Sequence, residues 1–274
     1  MKIKTAVFLA SSACVIALLC VPSELLAQNV PLGSAAQFAV LGATPNVTNT
    51  GPTVVIGDVG VWPAASITGF PPGNAIGALH FGDPAAQQAQ ASLTVAYNDA
   101  AGRACPALNN LTGLVLGSGG TVPTLVPGVY CFSSTAQLTG NLILNGAGVY
   151  IFQVGSGLTT ASGSSITLTN GASACGVWWQ VGSSATLGTT TALAGNVLAL
   201  TSITVNTGAS VNGRVLARTG TVTLDSDNVT ACSGGPFPQV PSFAAAVPAL
   251  APSQLAILGI ALAAVAFLAL RRSF

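Results

Sequence analysis

The sequence predicts a mainly β protein, a three-sided parallel β-helix with one α-helix laid along the stack. Two observations predict it. Residues 185–230 fall into rows of 18, ATLGTTTALAGNVLALTS, ITVNTGASVNGRVLARTG and the start of a third, TVTLDSDNVT. Gly195 stands over Gly213, Val197 over Val215, Leu198 over Leu216 and Ala199 over Ala217, while Leu187, Val205 and Thr223 share a column. A short fixed period with apolar columns and recurrent glycines marks a stacked architecture, and this one suits a turn with roughly six residues on each of three sides. The second observation is a change of texture at Asp83-Pro84, an N-cap residue followed by Pro at the first helical position. Residues 85–101 contain neither Gly nor Pro and carry Ala89, Leu93, Ala96, Tyr97 and Ala100 at 3–4 spacing. That is one apolar stripe, so a helix over about residues 83–102 needs a flat partner, and the stack is the surface available.

Taken in order, residues 1–27 read as a secretory signal, with Lys2 and Lys4 as the charged region and an apolar run from Ala6 to Cys20. An N-terminal membrane anchor or a lipoprotein through Cys20 are the competing readings. Residues 37–73 form short β runs broken by Gly and Pro. After the helix, strand texture resumes at Val126. Pro127-Gly128-Val129-Tyr130-Cys131-Phe132 aligns with residues 147–152 at an offset of 20, and Tyr150-Ile151-Phe152-Gln153-Val154 aligns with residues 177–181 at an offset of 27. Early coils therefore vary in length, and their recurring aromatics belong in the interior. Residues 28–233 make the domain. Residues 234–252, rich in Pro, Ala and Ser, read as a linker, and residues 253–274 carry an apolar run, 255–270, ending in Arg271 and Arg272. That run is of marginal length for a bilayer span. The short Pro-containing motif, apolar helix and Arg pair resemble bacterial sorting tails of the PEP-CTERM and IPTL-CTERM type, with VPAL in place of the motif. Such a tail implies a processing enzyme as partner and a membrane stage before processing. A permanent membrane anchor is the alternative.

Charge narrows the function. The chain of 274 residues is 50% hydrophobic and only 5% charged, against about 25% in an ordinary soluble domain. Away from the ends it keeps Arg103, Arg214 and Arg218 with Asp58, Asp83, Asp99, Asp225 and Asp227, and no Lys or Glu. Nucleic acid needs clustered cations and is excluded as a partner. A metal site is not expected, because His80 is the only histidine and no two of the non-leader cysteines are spaced as a ligand pair; no cofactor is implied either. Cys105, Cys131, Cys175 and Cys232 are an even set in an exported chain, which favours two disulfides. Cys105 and Cys131 flank one loop and are the natural first pair. The remainder, Cys175 and Cys232, then lie about three rows apart, on the order of 14 Å along the stack, too far for a bridge if coils follow chain order.

The segments FAVLGA, TNTGPTVVIGDVGVWP, ITGFPPG, AYNDAAGR, VPGVYCF, YIFQVGSGLTTASGSS, VWWQVGSSATLG and GNVLALTSITVNTGASVNGRVLARTGTVTLD carry a resemblance, over roughly residues 32–232, to the microbial ice-binding proteins of the DUF3494 type. The resemblance implies a discontinuous right-handed β-helix of triangular section whose N-terminal coil packs beside the last one, so that coil order departs from chain order. That order could change the objection to Cys175–Cys232. It also implies adsorption to ice crystals through a flat face, without enzymatic activity, in an extracellular or cell-surface setting.

The physics of such a face is independent of the resemblance. Coils stack at about 4.7–4.9 Å, so a Thr or Ser at one position of every coil makes a straight file at an interval close to an oxygen repeat of ice. The family's T-A/G-x-T/N pattern selects Thr207 and Ser210, Asn170 and Ser173, Thr160 and Ser162, and, in the column of Thr207, Thr189 and Thr191. Thr167, Thr186, Thr204 and Thr221 begin strands and are secondary candidates. In the last row the column brings a charge, Asp225. Threonine and serine also favour strands and turns on any solvated face. Two other classes compete. A surface adhesin or matrix component would need only the scaffold and the tail. A β-helix polysaccharide lyase would need Asp225, Asp227, Arg214 and Arg218 gathered in a cleft.

Overall fold

The computed structural model describes residues 28–232; the signal, linker and sorting tail expected in the sequence lie outside the described residues. Short strands, each ended by a turn, stack into three flat faces. On the helix-side face the order is Gly128–Phe132, Tyr150–Val154, Val177–Val181, Ala192–Ala199, Ser210–Ala217, Phe38–Gly42, Asp58–Val61 and Leu79–Phe81. A second face, called here the threonine face, runs Val115–Leu116, Ala136–Leu138, Leu158–Thr160, Ala185–Leu187, Ile203–Val205, Val222–Asp225, Val47–Thr50 and Ile67–Thr68. The third joins Thr124–Leu125, Asn141–Asn145 and Ser165–Thr169 to the first halves of the two long strands, then to Asn228–Thr230, Val54–Ile56 and Asn74–Ile76. On all three, N-terminal coils stack beyond the last C-terminal coil: Val40 pairs with Val215, Thr48 with Thr223 and Val54 with Asn228, all parallel.

The 18-residue rows come from the long strands, whose register runs unbroken from Ala192–Ser210 to Ala199–Ala217. Each turns from the third face onto the helix-side face without a loop. Gly213 makes the bend, with φ of 149° and with a Cβ position only 1.9 Å from the Gly195 carbonyl oxygen, so any side chain there meets the coil beneath. Two expectations of the repeat are corrected. Gly128–Phe132 pairs with Tyr150–Val154 so that Tyr130 faces Phe152, an offset of 22 rather than 20. The slip is of two residues, which keeps each side chain on its own side of the sheet, so the sequence pattern fits both registers. In the third row Ile203 pairs with Val222 and Thr204 with Thr223, one residue later than the rows of 18 predict. A one-residue slip reverses inside and outside. Leu224 fills the buried column of Leu187 and Val205, and Thr223 turns outward.

The inside of the stack is apolar. Phe152 and Trp179 stack at 3.9 Å with 7° between rings, and Tyr130 continues the pile at 5.6 Å from Phe152. The outside of the helix-side face is apolar as well, which explains runs such as VWWQV with all five residues buried. There the helix Pro84–Gly102 lays Ala89, Leu93, Ala96, Tyr97 and Ala100 against Phe38, Leu41, Ile151, Trp178, Leu198 and Leu216. Asp83 caps the helix, accepting from the Ala86 N–H at 2.8 Å. Gln90 donates to the carbonyls of Gly42 and Ala217, both at 2.9 Å, and Gln153 donates to those of Ala100 and Arg103 at the far end, at 2.8 and 2.7 Å. The helix is thus fastened across several coils.

Both disulfides form. Cys105–Cys131 ties the segment after the helix to the first coil, and Cys175–Cys232 joins residues 57 apart in sequence with Cα atoms 5.6 Å apart. The spacing objection fails because the short 3-10 helix Ala174–Gly176 leaves its own coil and packs along both long strands, carrying Cys175 along the stack to the end of the last strand.

Candidate functional site: the threonine face

On the threonine face the buried positions are Leu158, Ala185, Ile203, Val222, Val47 and, half-buried, Ile67, one per coil in register. The residue after each points outward, and it is always threonine. Thr159 pairs with Thr186, Thr186 with Thr204, Thr204 with Thr223, Thr223 with Thr48 and Thr48 with Thr68. The six make one straight file of about 24 Å at strand spacing. Thr48 and Thr223, 175 residues apart, have hydroxyls 3.4 Å from each other. The file begins at the third coil, since Gln137 and Val115 hold the same position before it. Beside it, backbone bonds align Ser184, Ser202, Thr221 and Ser66 with Asn46 at the start of the strands, and Thr221 donates to the Asn46 carbonyl at 2.7 Å.

The other margin of the face is a corner. Ser162, Thr189 and Thr207 are exposed along it. Thr189 donates to Ser162 at 2.8 Å, Thr190 N–H to the Thr207 carbonyl at 3.1 Å, and the Thr207 hydroxyl to the Asp225 carboxylate. Asp225 in turn pairs with Thr50. The pattern Thr207-Gly208-Ala209-Ser210 is the shape of this corner: Gly208 has φ of 74°, Ala209 is fully buried, and Ser210 opens the next strand on the third face. Left-handed backbone recurs one coil on either side at Thr190 and Ser226, both with φ of 56°.

The expected residues therefore divide. Thr186 and Thr204 are in the file, Thr221 stands beside it, and Ser162, Thr189 and Thr207 line its margin. Thr160 and Thr191 are corrections: they are 3% and 0% exposed and bond to each other at 2.8 Å inside the corner. Thr160 takes the inward position of its strand, opposite Leu138, so its hydroxyl serves the Gly188 N–H and meets no solvent. Asn170 and Ser173 lie between the third and helix-side faces, away from the file, where Asn170 bonds Asn145 at 2.6 Å. Thr167 is on the third face, bonded to Asn141 at 2.8 Å, and so does not begin a strand comparable to those of Thr186 and Thr204. Thr159, Thr223, Thr48 and Thr68 were missed. The alternation ATL, ITV, VTL, VTN and ITG around them in the sequence is a signal that could have found all but Thr159, which stands in LTT.

The groups a lyase would need are not gathered. Arg214 is buried on the helix-side face, where it donates to Ala36 O at 2.7 Å, Asn196 Oδ1 at 2.9 Å and Cys232 O at 3.2 Å. Arg218 lies over the Tyr97 ring at 4.6 Å. Asp225 and Asp227 belong to the corner of the threonine face. Among the described residues no group of three or more His, Cys, Asp or Glu could hold a metal.

A rigid three-sided stack that presents one file of evenly spaced hydroxyls is a β-solenoid built around a repetitive surface. The family model described as Ice-binding-like matches residues 41–230. An ice-binding protein of Nostoc sp. (strain HG1) is 47% identical over 89% of this chain and 87% of its own, and one from Flavobacterium frigoris (strain PS1) is 35% identical over 73% and 76%. The crystal structure of an ice-binding protein from an Antarctic biological consortium superposes with a TM-score of 0.70 and 41% identity, over 74% of this chain and 91% of that one. The chain belongs to the ice-binding-like family.

Proposed function

We propose that this protein adsorbs to ice through the threonine face and so inhibits ice growth or recrystallisation. The observation that carries the reading is the file Thr159, Thr186, Thr204, Thr223, Thr48 and Thr68, one hydroxyl and one methyl per coil. Each hydroxyl can hold a water at lattice-like spacing. Each methyl shields its neighbours, and the β-helix has already met the ordering cost of the array. Ser162, Thr189 and Thr207 extend the contact at the margin. Ice-binding relatives identical at 47% and 35% support this ligand, and a surface with few charges suits it, since charged groups hold water too tightly and in another geometry. The mechanism is binding alone, with no bond made or broken.

The setting belongs to the same proposal. Two disulfides suit an oxidising compartment, in keeping with export by the N-terminal signal and with release or display at the cell surface by processing of the C-terminal tail. The experiment is thermal hysteresis and recrystallisation inhibition with the purified domain. Activity is expected at micromolar to millimolar protein. A folded domain inactive in both assays would sink the reading.

A further inference from the structure

Among the outward residues described on the threonine face and its corner, one carries a charge. Two residues beyond Thr223 on the same strand, and so about 7 Å away on the same side of the sheet, stands Asp225. Its neighbours along the margin are Thr207 in the preceding coil and Thr50 in the following one. Without it, Ser162, Thr189, Thr207 and Thr50 would leave a second run of hydroxyls parallel to the first. The carboxylate also changes its neighbours. Thr207 points its hydroxyl proton at Asp225, and Ser226 does the same at 3.2 Å. Thr207 can then only accept from lattice water. Asp225 is half-exposed, so its charge keeps its own shell of water at the edge of the contact. The backbone bond at this position survives substitution, since it is the Asp225 N–H that donates to Asp227 at 2.7 Å, and the carboxylate itself accepts only from the Thr207 and Ser226 hydroxyls among the described residues' side chains.

We propose that Asp225 sets the strength and plane selectivity of ice adsorption by this chain, holding the margin of Ser162, Thr189 and Thr207 to a weaker contact than the threonine file. The inference rests on the threonine face being the ice-contact surface. Replacing the charge with a hydroxyl completes the margin from Ser162 to Thr50 and frees Thr207 to donate.

The test compares the purified protein with Asp225→Thr and, in case that variant fails to fold, Asp225→Asn, each checked by circular dichroism. Asp225→Thr is expected to raise thermal hysteresis by about twofold or more at equal concentration, because a second preorganised file roughly doubles the matched contact. It is also expected to widen the set of planes labelled when a fluorescent conjugate is frozen into a single ice crystal. Adding Thr207→Val to Asp225→Thr should cancel most of the gain, a coupling that a merely structural role would not produce. A parent that is active and a folded Asp225→Thr that is no better overturn this inference and leave the ice reading standing. If parent and variants are all inactive, both fall together. An inactive parent made active by Asp225→Thr supports both.

Discussion

Asp227 is 1% exposed, and its carboxylate accepts from the Ala209 N–H at 3.1 Å and the Asp225 N–H at 2.7 Å. Burial pushes its pKa from 3.8 up to about 7, against the opposing pull of those two N–H bonds, and the neighbouring Asp225 pushes the same way as burial. The folded protein therefore holds this proton over a range in which the unfolded chain has released it. Stability is present in full below the unfolded value, declines as pH rises from about 4 to about 7, and levels off above. Melting temperatures taken across that range should show the decline in the wild type and lose this component in Asp227→Asn, which is less stable overall because its amide offers one acceptor where two N–H groups need one each. Equal slopes in the two proteins would contradict this. At the same scale, Thr204→Tyr or Thr223→Tyr at the centre of the file should remove most of the thermal hysteresis without lowering the melting temperature. Thr167→Tyr, on the third face, should leave activity unchanged, and the reverse ranking would move the contact face.

The helix and the long strands show how elements hold the face flat. Leu93 is fully buried between the helix and the sheet, so Leu93→Ala should cost about 2–5 kcal/mol, read as a denaturant midpoint. Removing the Asp83 cap by Asp83→Ala should cost about 1 kcal/mol. That site also loses the 2.8 Å contact between His80 Nδ1 and the Asp83 carboxylate. Residues 85–101 showed the helix and its buried stripe unaided, because local propensity and a single apolar face agree there. Strand registers were less legible. The offset of 20 read for the early coils became 22 in the fold, since a slip of two preserves the in–out pattern and only the turn and the partner coil decide between them.

For the molecule as a whole, what matters is that the stack is closed out of order. Coils from residues 38–81 complete the threonine face after the coil of residues 222–225, and the disulfide Cys175–Cys232 fixes the end of the last strand to the 3-10 helix Ala174–Gly176. Opening that bridge by Cys175→Ser with Cys232→Ser should lower stability by about 2–4 kcal/mol while leaving the threonine file, which lies on another face, active below the new melting temperature. Loss of activity in a variant that is still folded would mean that the bridge shapes the contact face.

By itself the sequence determined the class of fold, the helix, the burial of the repeated aromatics and the threonine-rich, charge-poor character of the outside, because each is written in local periodicity or composition. It pointed to Thr186, Thr204 and Thr207 for the same reason. Only the tertiary structure decided which hydroxyls share a surface. Thr160 and Thr191 are threonines that turned inward, and no local pattern separates them from Thr159. Thr48 and Thr68 come from the opposite end of the chain, and Thr223 is turned outward by one extra residue in its coil. A file across coils is a property of register and coil order, and both are set by long-range pairing rather than by neighbours in sequence.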